Sequence, residues 1–307
     1  MHPSKFLAQS ILQSLSQLFL SQNTKAKSER IILIIAVVSY LIHLGIILFS
    51  NHQAIPSEHN LLNNPISAIY TPFSFILIYE VYLLIFYLPQ STSFYIAKQY
   101  EIITLIVIRR IFKDIGNIKL QTGWFQNQYD LQFTYDTLTS LVLFLLIFLF
   151  YKSIKTFNKN YSSPQLIDKA HTSFVYIKKC IAIILVPVLF SLAIISFFQW
   201  FIEATANNNS VLPALNNVNN VFFDDFFNIL IVVDVLLLLM SFFYSDKFHT
   251  IIRNSGFVIS TIMIKVSFSV SGVVNNLLIV GAIVFGLGIL CIYNLFENLN
   301  NKRKLES

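Results

Sequence analysis

What most restricts this chain is a recurrence of apolar runs near twenty residues long, separated by short connections that are either rich in lysine or free of lysine and arginine. A helix rises ~1.5 Å per residue, so about 20 apolar residues match the ~30 Å hydrocarbon core of a bilayer. Inside that core the backbone finds no water to bond, and each run must satisfy its own amides as a helix. Runs 31–49, 69–88, 132–151, 178–201, 221–244 and 273–295 meet the length directly. Two further runs are weaker: 256–270 is short and carries Lys265, and 94–115 bears charge at both ends.

Composition agrees. Only 12% of residues are charged and 55% are hydrophobic, whereas soluble chains carry about a quarter charged residues. The net charge of +6 resides in clusters between apolar runs rather than along one recognition element, which argues for anchors on the cytoplasmic side of a membrane and against nucleic acid. Cys180 and Cys291 each fall in a span, so neither a disulfide framework nor a zinc site is expected, and both read as free, buried thiols.

Lysine and arginine placement sets orientation. Lys5, Lys25, Lys27 and Arg30 precede the first run, and 51–68 has neither residue type, so the amino terminus is expected inside. Residues 151–179 hold Lys152, Lys155, Lys159, Lys169, Lys178 and Lys179 and are also inside. Parity then makes 94–115 a crossing. Residues 203–220 sit outside, Lys247 and Arg253 inside, and the tail with Lys302, Arg303 and Lys304 returns inside if 256–270 and 273–295 both cross through a tight outer turn. Lys119, with Arg109, Arg110 and Lys113, is the one group on the wrong side. The expected fold is therefore an all-α, polytopic helix bundle of about eight spans with both termini in the cytoplasm. Its parts are an amphipathic segment 1–30, one transmembrane domain 31–296 and a basic tail 297–307.

Outside the spans, Ser4–Leu20 places Leu7, Ile11, Leu15, Leu18 and Phe19 on one face, as an interfacial helix does. Ser162, Ser163 and Pro164 form a helix start, and the Asn-rich 204–220 reads as a flexible loop.

Ionisable groups near the bilayer centre are costly, by about 2.5–3.5 kcal/mol on insertion scales, and so mark interiors or water-filled cavities. Asp234 in the sixth span and Lys265 in the seventh are candidates for a direct pair, either a gate on an ion path or a static lock between helices. Glu80, Glu101, Arg109, Arg110 and Asp136 are candidates for a charged network between spans two, three and four. A voltage sensor is disfavoured, because only Arg110 and Lys113 stand three apart before Gly116 ends the series. Asp224 and Asp225 sit at the outer mouth of the sixth span, where they would attract cations or simply open a helix. His43 is a proton-linked group or a helix contact. Pro187 is placed to kink the fifth span, and Gly281, Ala282, Gly286 and Gly288 allow close helix approach to the eighth.

No His-Glu-His zinc pattern, serine elbow, P-loop or dinucleotide fingerprint occurs, so catalysis is the least favoured class and no cofactor or metal is expected. The favoured reading is a channel or secondary transporter for an ion or small solute in the cell or inner membrane. The alternative is a non-transporting scaffold or sensor subunit that binds partner proteins. Expected partners are the lipid bilayer, the ion or solute, and a homo-oligomer or membrane subunit.

Overall fold

The computed structural model describes residues 12–52, 68, 70–115, 128–160, 169–206, 211–244, 247–270 and 272–306. Helix dominates these residues, and no strand occurs among them. In chain order the helices are α1 (residues 12–19), α2 (Gln22–His52), α3 (Tyr70–Tyr87), α4 (Thr92–Ile115), α5 (Gln128–Asn160), α6 (Lys169–Ala206), α7 (Val211–Tyr244), α8 (Phe248–Phe268) and α9 (Val273–Glu306).

Among the described residues six stretches are long and apolar enough to cross a membrane: Leu12–Phe49, Asp130–Lys155, Thr172–Ser196, Asp225–Tyr244, Phe248–Phe268 and Val273–Asn300. The chain is a multi-pass membrane protein. Helix α3 is apolar apart from Glu80 but shorter, and α4 interrupts its apolar residues with Lys98, Glu101, Arg109 and Arg110, so length and composition alone do not place either in that set.

Several helices exceed the apolar runs that nucleate them. Ser21 begins α2 by accepting the Thr24 amide through Oγ at 3.1 Å, the usual way to satisfy an orphan amide at a helix start. Helix α8 begins at Phe248 rather than Gly256, and α9 continues through the basic tail. The expected loop 204–220 is mostly helix, since α6 runs to Ala206 and α7 starts at Val211. Pro213 falls in the first turn of α7, where its missing amide removes nothing, and asparagine's modest helix penalty is too weak a prior to break the run. Lys119, Ser162–Pro164 and residues 4–11 of the expected Ser4–Leu20 helix lie outside the described residues, while residues 12–19 form α1.

The arrangement of α5 shows the solvent for which the fold is built. Leu138, Leu141, Phe144, Leu145 and Phe148 point outward, Phe144 being 74% exposed, while Asp136 and Thr139 on the opposite side are buried. In water that stripe would forfeit roughly 1.5–3 kcal/mol for each large apolar side chain left unburied. In hydrocarbon the same arrangement is the favourable one. Cys291 is likewise exposed on α9, contrary to the buried thiol expected, while Cys180 is half-buried.

The chain divides into two compact units: Met1–Phe86 with Arg109–Asp130 and Lys179–Asn228, and Tyr87–Ile108 with Leu131–Lys178 and Ile229–Ser307. In the first, α2 and α3 run antiparallel. His43 Nδ1 meets Thr71 Oγ1 at 2.5 Å, Tyr79 donates to Glu29 at 3.1 Å, and Lys25 sits 5.5 Å over the Phe86 ring. Phe112 near the far end of α4 stacks on Phe73 at the start of α3, with centroids 5.1 Å apart, so α4 returns to the level at which α3 began.

In the second unit, α8 and α9 form a hairpin. Gly272 takes φ 74°, a left-handed backbone that glycine adopts without a Cβ penalty, and the Asn275 side chain donates at 2.5 Å to the Ser267 carbonyl, which also accepts from the Val270 amide at 3.1 Å. The helices meet closely at Gly256, where a methyl would come within 2.8 Å of Ile289 Cγ1. Tyr100 from α4 occupies the room left by Gly286, shares a 2.7 Å hydrogen bond with Ser260 and packs edge-on against Phe150 at 5.2 Å. Ser260 in turn donates to the Ala282 carbonyl at 2.7 Å. Gly281 and Gly288 face open space, so of the glycines expected to admit a neighbour only Gly286 does so.

Two polar clamps tie α5 to α9. Asn276 donates to Asp136 at 2.6 Å, and Asn294 donates to Ser153 Oγ at 2.9 Å and to its carbonyl at 3.2 Å. The clamps are about five turns, roughly 27 Å, apart along α9. Both residue numbers rise together, so α5 and α9 are parallel.

Candidate functional site

The second unit contains a small cavity of about 30 Å³ lined by Asp234 of α7, Lys178 of α6, Thr92 and Tyr95 of α4, and Asn254 of α8, with Phe174, Leu237 and Phe257 supplying apolar wall. It forms where the first turn of α4, the second and third turns of α8, the tenth residue of α6 and the last third of α7 come level. Asp234 is 5% exposed and Lys178 is 3% exposed.

The Asp234 carboxylate accepts from Tyr95 Oη at 3.2 Å on one oxygen and from Gln99 Nε2 at 3.1 Å on the other. Tyr95 and Gln99 stand four apart and therefore share one face of α4. The Gln99 amide is itself oriented, because its carbonyl oxygen lies 3.1 Å from Thr261 Oγ1, whose single hydroxyl proton is shared between it and the Phe257 carbonyl. These contacts fix the carboxylate by neutral donors. Lys178 gives its hydrogen bonds elsewhere, to the Gln90 carbonyl at 3.0 Å and Thr92 Oγ1 at 3.4 Å, and lies 5.0 Å from the Phe174 ring centroid. Asp234 and Lys178 thus line the same cavity without forming a direct ion pair.

Toward the start of α8 a second polar group adjoins the cavity. Arg253 holds Asn254 Oδ1 with two donors at 3.2 and 3.0 Å and stacks 4.3 Å over Tyr293. Glu297 receives His249 at 3.1 Å and Lys247 at 3.6 Å.

Asp234 is therefore brought into a site, but with Lys178 and not with Lys265. The reason is depth. Asp234 stands about 15 Å from the α7 terminus at Tyr244, whereas Lys265 stands about 26 Å from the adjoining α8 terminus at Phe248. Lys265 lies half-buried in the last turn of α8.

The expected network of spans two to four divides. Glu80 is buried on α3 in the first unit, where the charge of Arg109 acts on it, and Arg110 is half-buried on the following residue. In the second unit Glu101 pairs with Lys98 at 2.7 Å, and Lys98 also sits within 5.2–5.7 Å of the rings of Tyr87, Phe94 and Tyr151. Asp136, fully buried, accepts from Gln132 at 2.7 Å as well as from Asn276. Asp225 is exposed and lies well inside α7, although the apolar stretch of that helix still begins there. A stabilised helix start therefore no longer accounts for it. The Asp224 side chain lies outside the described residues.

Sequence reading misses Lys178, Tyr95, Gln99, Asn254 and Thr261 as site residues. Lys178 reads as a loop anchor because it stands at the edge of an apolar run. The usable signal is the four-residue spacing of Tyr95 and Gln99 in α4, facing Asn254 and Thr261 seven apart on α8, a two-turn repeat that puts polar side chains on one stripe. Among the described residues no cluster of His, Cys, Asp and Glu could hold a metal ion. Comparison with protein families, with curated proteins and with solved structures gave no match for this chain.

Proposed function

We propose that this chain is a channel or secondary transporter for an ion or small solute, with Asp234 and Lys178 as its gating or coupling pair. One observation carries the reading: two buried ionisable groups of opposite type, Asp234 and Lys178, line one small cavity without closing on each other. A lock between helices gains by direct contact, because the desolvation of both ions is then offset by the full Coulomb attraction. Separation leaves the attraction incomplete and leaves room for water, as an intramembrane ion or proton path requires.

The proposed setting is a cell or inner membrane with eight spans and both termini in the cytoplasm. Parallel α5 and α9 fit the expected inward direction of spans four and eight, with three crossings between them. The stacking of Phe112 on Phe73 supports a full return by α4 despite its charges. Positive loops then place the cavity in the cytoplasmic half of the bilayer.

A scaffold or sensor subunit is the second reading, favoured by the clamps Asp136–Asn276 and Ser153–Asn294, which bond helix directly to helix. The test is ion flux through the purified full chain in liposomes, compared with Asp234→Asn and Lys178→Met. Permeation predicts flux that falls at least tenfold in each variant. Flux unchanged in both variants overturns the role given to the pair, and no flux from the intact protein together with a membrane partner in fixed ratio selects the scaffold.

A further inference from the structure

We propose that the species handled at the Asp234–Lys178 cavity is the proton rather than a metal cation or an anion. The inference rests on the permeation reading and names its substrate class.

Size and ligand inventory carry it. A cavity of about 30 Å³ has room for roughly two water molecules. A dehydrated metal cation would need about six oxygen ligands from the walls. The polar oxygens present belong to Asp234, Thr92, Tyr95 and Asn254, and both carboxylate oxygens already accept hydrogen bonds from Tyr95 and Gln99. Thr92 is already taken as well, accepting from Lys178.

Charge then excludes the alternatives. The Lys178 ammonium lines the same cavity and repels a metal cation, and Arg253 on α8 adds a second positive charge that acts on Lys178. The Asp234 carboxylate repels an anion equally. A proton meets neither objection, because it adds to a group already present. Asp234 carboxylate with Lys178 ammonium and Asp234 carboxylic acid with Lys178 amine differ only in the position of one proton, carried across by water, so the cavity keeps one net charge in both. Buried carboxylates with such neighbours serve as proton relays in membrane pumps.

The groups facing Asp234 are Tyr95 and Gln99 from α4, Lys178 from α6, and Asn254 and Thr261 from α8, the last through Gln99. Glu297 with His249 and Lys247, and Glu101 with Lys98, form further titratable clusters of this unit, and none of these residues lines the cavity.

The experiment is infrared difference titration of the full chain in liposomes, read beside a pH-sensitive dye trapped inside and parallel potassium and sodium flux. A protonated-carboxyl band should appear on acidification, vanish in Asp234→Asn, and change its midpoint in Lys178→Met and in Tyr95→Phe, but not in His249→Gln. The dye should report proton entry that Asp234→Asn reduces at least tenfold. Tyr95→Phe removes one hydroxyl and keeps the ring, so it tests the assignment even if Asp234→Asn misfolds. Metal-cation flux that persists without any titrating band overturns the proton assignment and leaves permeation standing. A titrating Asp234 band without flux of any ion keeps the proton site and overturns permeation.

Discussion

Replacing Gly286 by alanine tests how the second unit is held together, because the structure allots the space beside that residue to one atom. The added methyl would collide with the Tyr100 hydroxyl and come within 3.0 Å of its Cζ. The ring cannot retreat freely, since it is fully buried and packs edge-on against Phe150 at 5.2 Å. Displacing the hydroxyl breaks its 2.7 Å bond to Ser260, worth ~1 kcal/mol net. Overpacking a filled core adds about 1–3 kcal/mol, and the better helix propensity of alanine returns roughly 0.8 kcal/mol. The balance is a loss of about 2 kcal/mol, roughly thirtyfold in the folding equilibrium. Gly281→Ala and Gly288→Ala supply internal controls, because a methyl added at either position would meet nothing within 4 Å and the propensity term acts alone. The assay is reversible unfolding in mixed micelles of increasing denaturing detergent. Gly286→Ala should unfold first and the two controls at or above the parent midpoint. In Tyr100→Phe/Gly286→Ala the colliding oxygen is gone, so the double variant should lose less than the sum of its parts. Equal midpoints for all three glycine variants would refute the packing argument.

Other outcomes follow from the clamps and the lipid face. Asn276→Ala should cost about 1 kcal/mol in the same unfolding assay, since interhelical bonds of this kind contribute ~0.6–1.7 kcal/mol in membranes, and a midpoint unchanged from the parent would deny the clamp. Phe144→Trp should be quenched strongly by brominated lipid and Phe150→Trp weakly, because the first ring is 74% exposed and the second fully buried. Equal quenching would mean that α5 presents a different face to lipid.

The legible part of this fold is the part governed by hydrocarbon. Runs of about twenty apolar residues locate the cores of α2, α5, α6, α7 and α9, because solvent and length leave no second solution there. Helix ends are less legible, since α2, α8 and α9 continue into polar residues where capping and helix propensity decide, and these are effects of about 1 kcal/mol. The candidate site is half legible. Asp234 stands out as a charge in an apolar run, but its partner does not. Pairing by charge within the apolar runs points to Lys265 on the following helix, whereas the depth of each residue along its own helix selects Lys178 on the preceding one.

Everything proposed for Asp234 requires that the helices of the second unit cross the bilayer, and cysteine accessibility tests this most directly. In a background with Cys180 and Cys291 replaced by serine, Lys155→Cys and Ser269→Cys mark opposite ends of the α5, α8 and α9 group, both exposed. An impermeant thiol reagent added outside intact cells should label Ser269→Cys and leave Lys155→Cys untouched until the membrane is opened. Labelling of both positions from the same side would contradict the crossing, and with it the placement of Asp234 and Lys178 within the membrane.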